Sequence, residues 1–390
     1  MLLLCFWGAS ALLAWVYVGY PLAALARGRL RPVTVLSDAG RPVKHVTVGI
    51  AAYQAQPLIE ARIRNALDEP VDFELDVIVA SDGSDDGLPA TVGRLARQDN
   101  RIRLLDLPRV GQAAAQSAIF EAARSEVIVL TDAETRFSPG CLAALVAPFA
   151  DGRVGCTTGV LTWHYERTTD TARQEGLYWR YEQLVRRWES RAGWLTAGTG
   201  ALLAVRRECY RPVPAHASLD QMLPLHVHQQ GRLVLAIPTA VGVDRGASDV
   251  GEQFHSRVRI ATQGIEANLR MALRLPPWRH PGAFVGIWSH KLLRWATPWL
   301  ALIAVLAATG LTLEGGSTLY LLPLAANGAL AALAVVGAFA GRRGRRLPLA
   351  GFALAFVVVN AAFGLAWLRV VARRRVGRWQ PTRPGRTSRR

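Results

Sequence analysis

The segment EVIVLTDAETRF, residues 126–137, runs a short apolar stretch straight into Asp132, Ala133 and Glu134. Side chains one residue apart in an extended segment share a face, so the two carboxylates can address one ligand. Two hard oxygen donors suit Mg2+ or Mn2+, ions that also accept oxygens from phosphate. With such an ion between them and a diphosphate, two acids hold an anion they would otherwise repel. The competing reading is a solvated strand end followed by a turn, a common place for acids. Nucleotide chemistry would have to rest on this device. The chain has neither a G-x-G-x-x-G run nor a Walker loop to cradle phosphate with backbone N–H groups.

The surrounding pattern supplies a frame for the acids. VTVGIAAY (46–53), LDVIVAS (75–81), RIRLLDL (101–107) and EVIVLT (126–131) read as strands. LIEARIRNAL (58–67) and GQAAAQSAIFEAAR (111–124) read as helices, the first with Leu58, Ile59, Ile63 and Leu67 on a broad face. Strands alternating with helices predict an α/β domain with a mostly parallel sheet. Ligands bind such sheets beyond the carboxyl ends of the strands. Three strands finish in polar or turn-prone residues, at Tyr53–Gln54, Asp82–Asp86 and Asp132–Glu134. One crevice could gather all three.

The 390 residues are 51% hydrophobic and carry a formal charge of +17. Four uncharged runs, 2–26, 295–313, 315–340 and 347–368, reach or approach the ~20 residues needed to cross a bilayer core as a helix. The first lacks a basic leader and a good cleavage context, which favours a retained anchor over a signal peptide. Arg27, Arg29 and Arg31 follow it, and His290, Lys291 and Arg294 precede the second run. Both sets place the region between them in the cytoplasm. The end of the chain, 369–390, holds nine arginines and no acid. Its charge conflicts with four full spans and an outside N-terminus, so either the positive-inside rule fails here or one run is re-entrant or interfacial; four is the working count. Much of the charge flanks membrane segments, which points to anionic membrane lipids rather than nucleic acid. The four cysteines lack metal or redox spacing and fit a reducing compartment. In 251–275, Phe254, Val258, Ala261, Ile265 and Leu269 form one stripe. It reads as an interfacial helix, or as a helix packed on the central domain. Trp288, Trp295 and Trp299 suit the membrane boundary.

In this order the motifs resemble those of the membrane-bound family 2 glycosyltransferases, the group with hyaluronan, chitin, cellulose and poly-N-acetylglucosamine synthases. The resemblance covers roughly residues 44–300. AAYQA (51–55) stands where the family has P-x-Y-N-E and implies that Ala52 and Tyr53 lie at the nucleotide base. SDGSDD (81–86) keeps Asp82, Gly83 and Ser84 of D-D-G-S, which implies contact of Asp82 with base or ribose. GQAAAQS (111–117) replaces G-K-x-x-A-L-N, so the lysine is Gln112 and one positive charge near the diphosphate is missing. Asp132 and Glu134 match D-x-D and are implied as metal ligands. WLTAGTGALLAVRRECY (194–210) resembles the segment lining the acceptor sugar, with Gly198, Thr199 and Gly200 beside it; the alternative is a tight turn before a buried strand. SLDQMLPLHVHQQG (218–231) resembles the segment whose last acid is the general base. That implies Asp220 as base, within hydrogen-bond reach of the acceptor hydroxyl. Leu219 replaces the first acid of that pair, and the alternative is that Asp220 or Ser218 caps a helix. HSRVRIATQG (255–264) stands for Q-x-x-R-W and keeps Arg257 and Arg259 as cationic help for the leaving diphosphate. It has Ile260 for the tryptophan, a departure that bears on processive transfer.

The resemblance implies a GT-A-like, mostly parallel α/β nucleotide-sugar domain inserted between transmembrane helices. Residues 1–26 would be a transmembrane helix and 44–245 the cytoplasmic domain. Interfacial amphipathic helices would occupy 249–294, further spans 295–313, 315–340 and 347–368, and a basic tail 369–390. The implied protein is a multi-pass enzyme of the inner (plasma) membrane. It would be an inverting, metal-dependent transferase moving a hexose or hexosamine from a UDP-sugar to a growing surface glycan or exopolysaccharide. Four spans are few for a channel, so polymer export would need a homo-oligomer or an export partner. Two other readings stand beside it: single transfer to a lipid-linked phosphate acceptor, and an inactive membrane transport or scaffold protein.

Overall fold

The computed structural model describes residues 1–36, 41–164, 170–215, 217–245, 250–343, 345 and 347–373. They form two compact units. The sheet unit is drawn from Val33–His164 and Leu195–Ala247, and the helical unit from Met1–Pro32, Tyr165–Trp194 and Ser248–Arg375. Most of the Arg-rich tail, from residue 374 on, lies outside the described residues.

The sheet unit has eight strands: β1 (His45–Ala52), β2 (Glu74–Asp82), β3 (Ile102–Leu107), β4 (Val127–Thr131), β5 (Arg136–Phe137), β6 (Val154–His164), β7 (Leu203–Arg206) and β8 (Leu233–Arg245). They make one sheet in the order β3-β2-β1-β4-β7-β6-β8-β5. β3, β2, β1 and β4 run parallel, joined by helices Gln56–Leu67, Leu88–Gln98 and Gln112–Ala122. Val46, Val48 and Ile50 of β1 and Val127, Ile128 and Val129 of β4 are all buried, as a parallel sheet covered on both faces requires. Gly49 lets the third helix close on β1, since a Cβ there would lie 2.6 Å from Ile119. The registers Ala52↔Ser81, Asp82↔Leu107 and Ile50↔Thr131 bring the carboxyl ends of these strands to one edge.

The other half of the sheet was harder to foresee. β7 runs antiparallel to β4 with Leu130 opposite Leu203. The residues just before Leu203 therefore return to the same carboxyl edge. β6 and β8 pair over a long parallel ladder broken by two register shifts. Glycine and threonine dilute the apolar pattern of β6, so it does not announce itself in sequence. β5 pairs with β8 at Val243 and Gly242, so residues 132–135 bridge from β4 to that edge of the sheet.

The helical unit contains helices Leu2–Leu30, Asp170–Ala192, Val250–Ala272, Thr318–Arg342 and Pro348–Val371, and the pair Pro281–Trp295 and Thr297–Leu313 bent by 62°. Among the described residues, three helices are long and apolar enough to cross a membrane, or four if the bent pair is one span. The run expected at 295–313 is thus the second arm of a bent pair. Helix Val250–Ala272 packs on Pro348–Val371, and Val258, Ala261 and Ile265 of its stripe are buried. Protein covers the middle of that stripe, while Phe254 and Leu269 at its ends are half-buried. Trp295, expected at the membrane boundary, is also buried, its ring against Gly264.

His290, Lys291 and Arg294 change meaning as well. The side chains of His290 and Arg294 are buried, and that of Lys291 half-buried, among the carboxylates of Glu182 and Glu189. His290 Nδ1 is 2.7 Å from Glu189 Oε1, and its Nε2 is 3.2 Å from Glu182 Oε2. Arg294 Nη1 donates to Glu182 Oε2 at 2.9 Å, and the Tyr20 hydroxyl donates to Glu189. Burial raises the Glu182 carboxyl, but the charges of His290 and Arg294 outweigh it and hold the group well below its usual range. These cations are internal ties between three helices, so they are poor markers of membrane orientation. Glu182→Gln removes the carboxylate that buried Arg294 donates to and is expected to cost about 3–5 kcal/mol. Thermal unfolding in detergent checks this, and an unchanged midpoint would contradict it.

Candidate active site

β1 ends in buried Ala51 and Ala52, followed by half-buried Tyr53. β2 ends at Asp82, which is 2% exposed. Asp82 Oδ1 accepts from the Val110 and Gly111 N–H groups at 2.7 and 2.8 Å, and Oδ2 pairs with Arg109. The Arg109 guanidinium lies 3.4 Å from the centroid of the Tyr53 ring. Gly83 makes this closure fit: its φ is +67°, and a Cβ there would lie 2.8 Å from the Arg109 nitrogen. Asp82 therefore organises the loop 109–111 and brings that loop's cation over Tyr53. Sequence reasoning missed Arg109. It counted a charge as lost at Gln112, whereas an arginine stands three residues earlier in PRVGQ.

The other acids of DGSDDG are largely local ties. Asp86 Oδ2 accepts from Gln56 N–H at 2.8 Å and its Oδ1 from Leu88 N–H at 3.2 Å, so one carboxylate serves the starts of two helices. Ser84 Oγ accepts from Gln54 N–H at 3.1 Å.

β4 closes at Thr131, so Asp132 and Glu134 stand in the arch beyond the strand rather than on it. Ala133 between them is buried while both acids are half-exposed, so the expected alternation persists without a ladder. Gln112 Nε2 donates to Asp132 Oδ1 at 3.4 Å. Beneath the arch lies Arg62, fully buried, with Nη2 donating to Thr131 Oγ1 at 3.1 Å. Burial first, then the charge of Arg136, pushes its guanidinium down to about 9, against the pull of Asp132 and Glu69. Among the described residues, no three His, Cys, Asp or Glu side chains gather as a metal cage. Two carboxylates fit an ion that takes its other ligands from phosphate and water, which Mg2+ and Mn2+ commonly do.

Gly198, Thr199 and Gly200 come together with Asp220. Gly198 N–H donates to the Asp220 carbonyl at 2.7 Å, and Thr199 N–H donates to Thr158 Oγ1 at 2.8 Å. A Cβ on Gly200 would touch Asp220 Cβ at 3.7 Å. Helix Leu219–Gln229 begins after Ser218, and no side chain caps it. The Ser218 hydroxyl donates to Asp220 Oδ1 instead, so neither capping alternative describes the site. Leu219, in the place of the missing acid, is buried in the core. Since Leu203 faces Leu130, the 198–200 turn and Asp220 fall at the same sheet edge as Asp132. Arg257 and Arg259 lie half-buried on helix Val250–Ala272 of the helical unit.

A parallel sheet whose strands end in acids, extended by antiparallel strands that return to the same edge, defines a GT-A-like α/β fold. Residues 47–212 match the family described as Glycosyl transferase family 2. Over 147 residues the chain is 34% identical to Glycosyltransferase AglD of Haloferax volcanii. That match covers 36% of this chain and 23% of AglD, so it spans under a quarter of the relative's length. The fold is similar to that of the mannosyltransferase PcManGT from Pyrobaculum calidifontis, solved with GDP-Man and Mn2+. The TM-score is 0.69 at 23% identity, over 94% of this chain and 98% of that one.

Proposed function

We propose that this chain is a membrane glycosyltransferase that moves a hexose or hexosamine from a nucleoside-diphosphate sugar to a glycan or lipid-linked acceptor. The observation that carries the reading is the gathering of the Asp132–Glu134 arch, the 198–200 turn and Asp220 at one sheet edge. Asp132 and Glu134 would hold Mg2+ or Mn2+, which supplies positive charge to the departing diphosphate. Tyr53 and Arg109 offer a ring and a cation to the nucleotide, with Asp82 fixing the loop. Gly198 and Gly200 leave room for a sugar ring beside Asp220. The Asp220 carboxylate takes the proton from the attacking hydroxyl, and direct displacement at the anomeric carbon inverts its configuration.

The family resemblance suggests a UDP-sugar, whereas PcManGT was solved with GDP-Man, so both nucleotides belong in the test. Transfer of a single sugar to a lipid phosphate carrier is the second reading, favoured by Ile260 in the tryptophan position of the processive pattern. Purified protein in detergent with Mn2+ or Mg2+, given UDP-sugars or GDP-mannose and an oligosaccharide or polyprenyl phosphate, is expected to release nucleoside diphosphate from one donor. A ladder of products supports polymerisation, and one added sugar supports single transfer. No release from any donor would overturn both and leave the scaffold reading.

A further inference from the structure

Helix Gln56–Leu67 presents a polar stripe to the sheet unit as well as an apolar face. Its buried residues are Ile59, Arg62, Ile63 and Ala66, with Asn65 following Arg62 on nearly the same side and Glu69 standing just past the helix end. Arg62 Nη2 donates to Thr131 Oγ1 at 3.1 Å, next to Asp132. Asn65 takes the other end of the arch. Its Oδ1 accepts from Phe137 N–H at 2.8 Å, and its Nδ2 donates to the Phe137 carbonyl at 3.1 Å. The two anchors are themselves joined: Arg62 Nη1 donates to Asn65 Oδ1 at 2.8 Å, and its guanidinium lies 4.0 Å from the Phe137 ring centroid. Residues 132–136 hang between them and carry both carboxylates. Glu69 reaches past the arch and accepts from Leu142 N–H at 2.8 Å.

A fully buried guanidinium is costly here, because its Nε has no hydrogen-bond partner. An apolar side chain of similar volume would fill the space at lower cost. What the arginine adds is a rigid fork that binds two places at once. We infer that Arg62 and Asn65 are positioning residues that hold the 132–136 arch in the shape that accepts a divalent cation and a nucleoside diphosphate. This rests on the donor-site reading above.

The test uses full-length protein in detergent. Free Mn2+ is followed by electron paramagnetic resonance in the presence of GDP or UDP, and thermal unfolding is measured alongside. Arg62→Lys keeps the charge and loses the fork; Asn65→Ala removes the second anchor; Glu69→Gln weakens a tie just past the end of that helix and outside the arch. The first two are expected to bind Mn2+ about 10- to 100-fold more weakly. Glu69→Gln should keep wild-type affinity even where its unfolding midpoint falls. Wild-type affinity in folded Asn65→Ala overturns the inference, and so does affinity that merely tracks the midpoint across all three. If Arg62→Lys fails to fold, Asn65→Ala decides. Absence of Mn2+ binding in the wild-type protein would instead sink the donor-site reading, and the inference with it.

Discussion

Asp220→Asn is expected to lower turnover by about 10²- to 10⁴-fold, the usual contribution of a positioned general base. Nucleotide and metal affinity should stay at the wild-type level. The geometry makes the substitution clean. Gly198 bonds to the Asp220 carbonyl, not to its carboxylate, so the 198–200 turn keeps its anchor. The Ser218 hydroxyl, now donating to Oδ1, has the same acceptor in an asparagine amide. What disappears is the ability to take a proton. Nucleoside diphosphate release gives the rate, and calorimetric titration gives the affinity. Full activity in the variant would remove Asp220 from the mechanism. Loss of rate together with loss of affinity would assign it to donor binding.

The second large effect concerns the metal. Asp132→Asn keeps the oxygen that accepts from Gln112 Nε2 at 3.4 Å and removes one negative charge. Two unit charges at 4 Å interact by about 4 kcal/mol at an effective dielectric of 20. A divalent cation loses at least that, so metal affinity is expected to fall by about 10³-fold or more. Donor binding in Mn2+ should fall with it. Glu134→Gln is expected to do less, because its longer arm suits contact through water. Chelation of wild-type protein with EDTA should abolish transfer, and added Mn2+ should restore it. Equal losses in both variants would place the two carboxylates on the ion alike. Activity that survives chelation would end the metal assignment.

The parallel half of the sheet was legible in sequence because its cause is local. Val127 to Leu130 is a continuous apolar run, and Val46 to Ile50 is broken only by Thr47 and Gly49; a parallel sheet covered on both faces hides both. The acids at their ends were legible for the same reason, as polar residues that stop a buried strand. The helix after β1 was only partly read. Its apolar stripe suggested Leu58 and Leu67 as inward residues, yet Arg62 and Ala66 are buried with Ile59 and Ile63. Periodicity ranks side chains by polarity, so it places a guanidinium outside unless a partner is known. β6 and β8 were missed because Gly155, Gly159 and Gly242 interrupt their pattern. Those glycines let side chains such as Val227 and Leu202 approach closely, which is a fact about neighbours rather than about the strand.

The sequence by itself determined an α/β domain with acids at its strand ends, apolar runs on both sides of it, and Asp82, Asp132, Glu134 and Asp220 as the residues to watch. Each follows from short-range pattern or from motif order. Only the tertiary structure decided which charges work together. Arg109 meets Asp82 across 27 residues, Arg62 meets Thr131 across 69, and Arg294 meets Glu182 across 112. The reason is electrostatic. A buried charge is stable only beside its partners, and the fold, not proximity along the chain, chooses them.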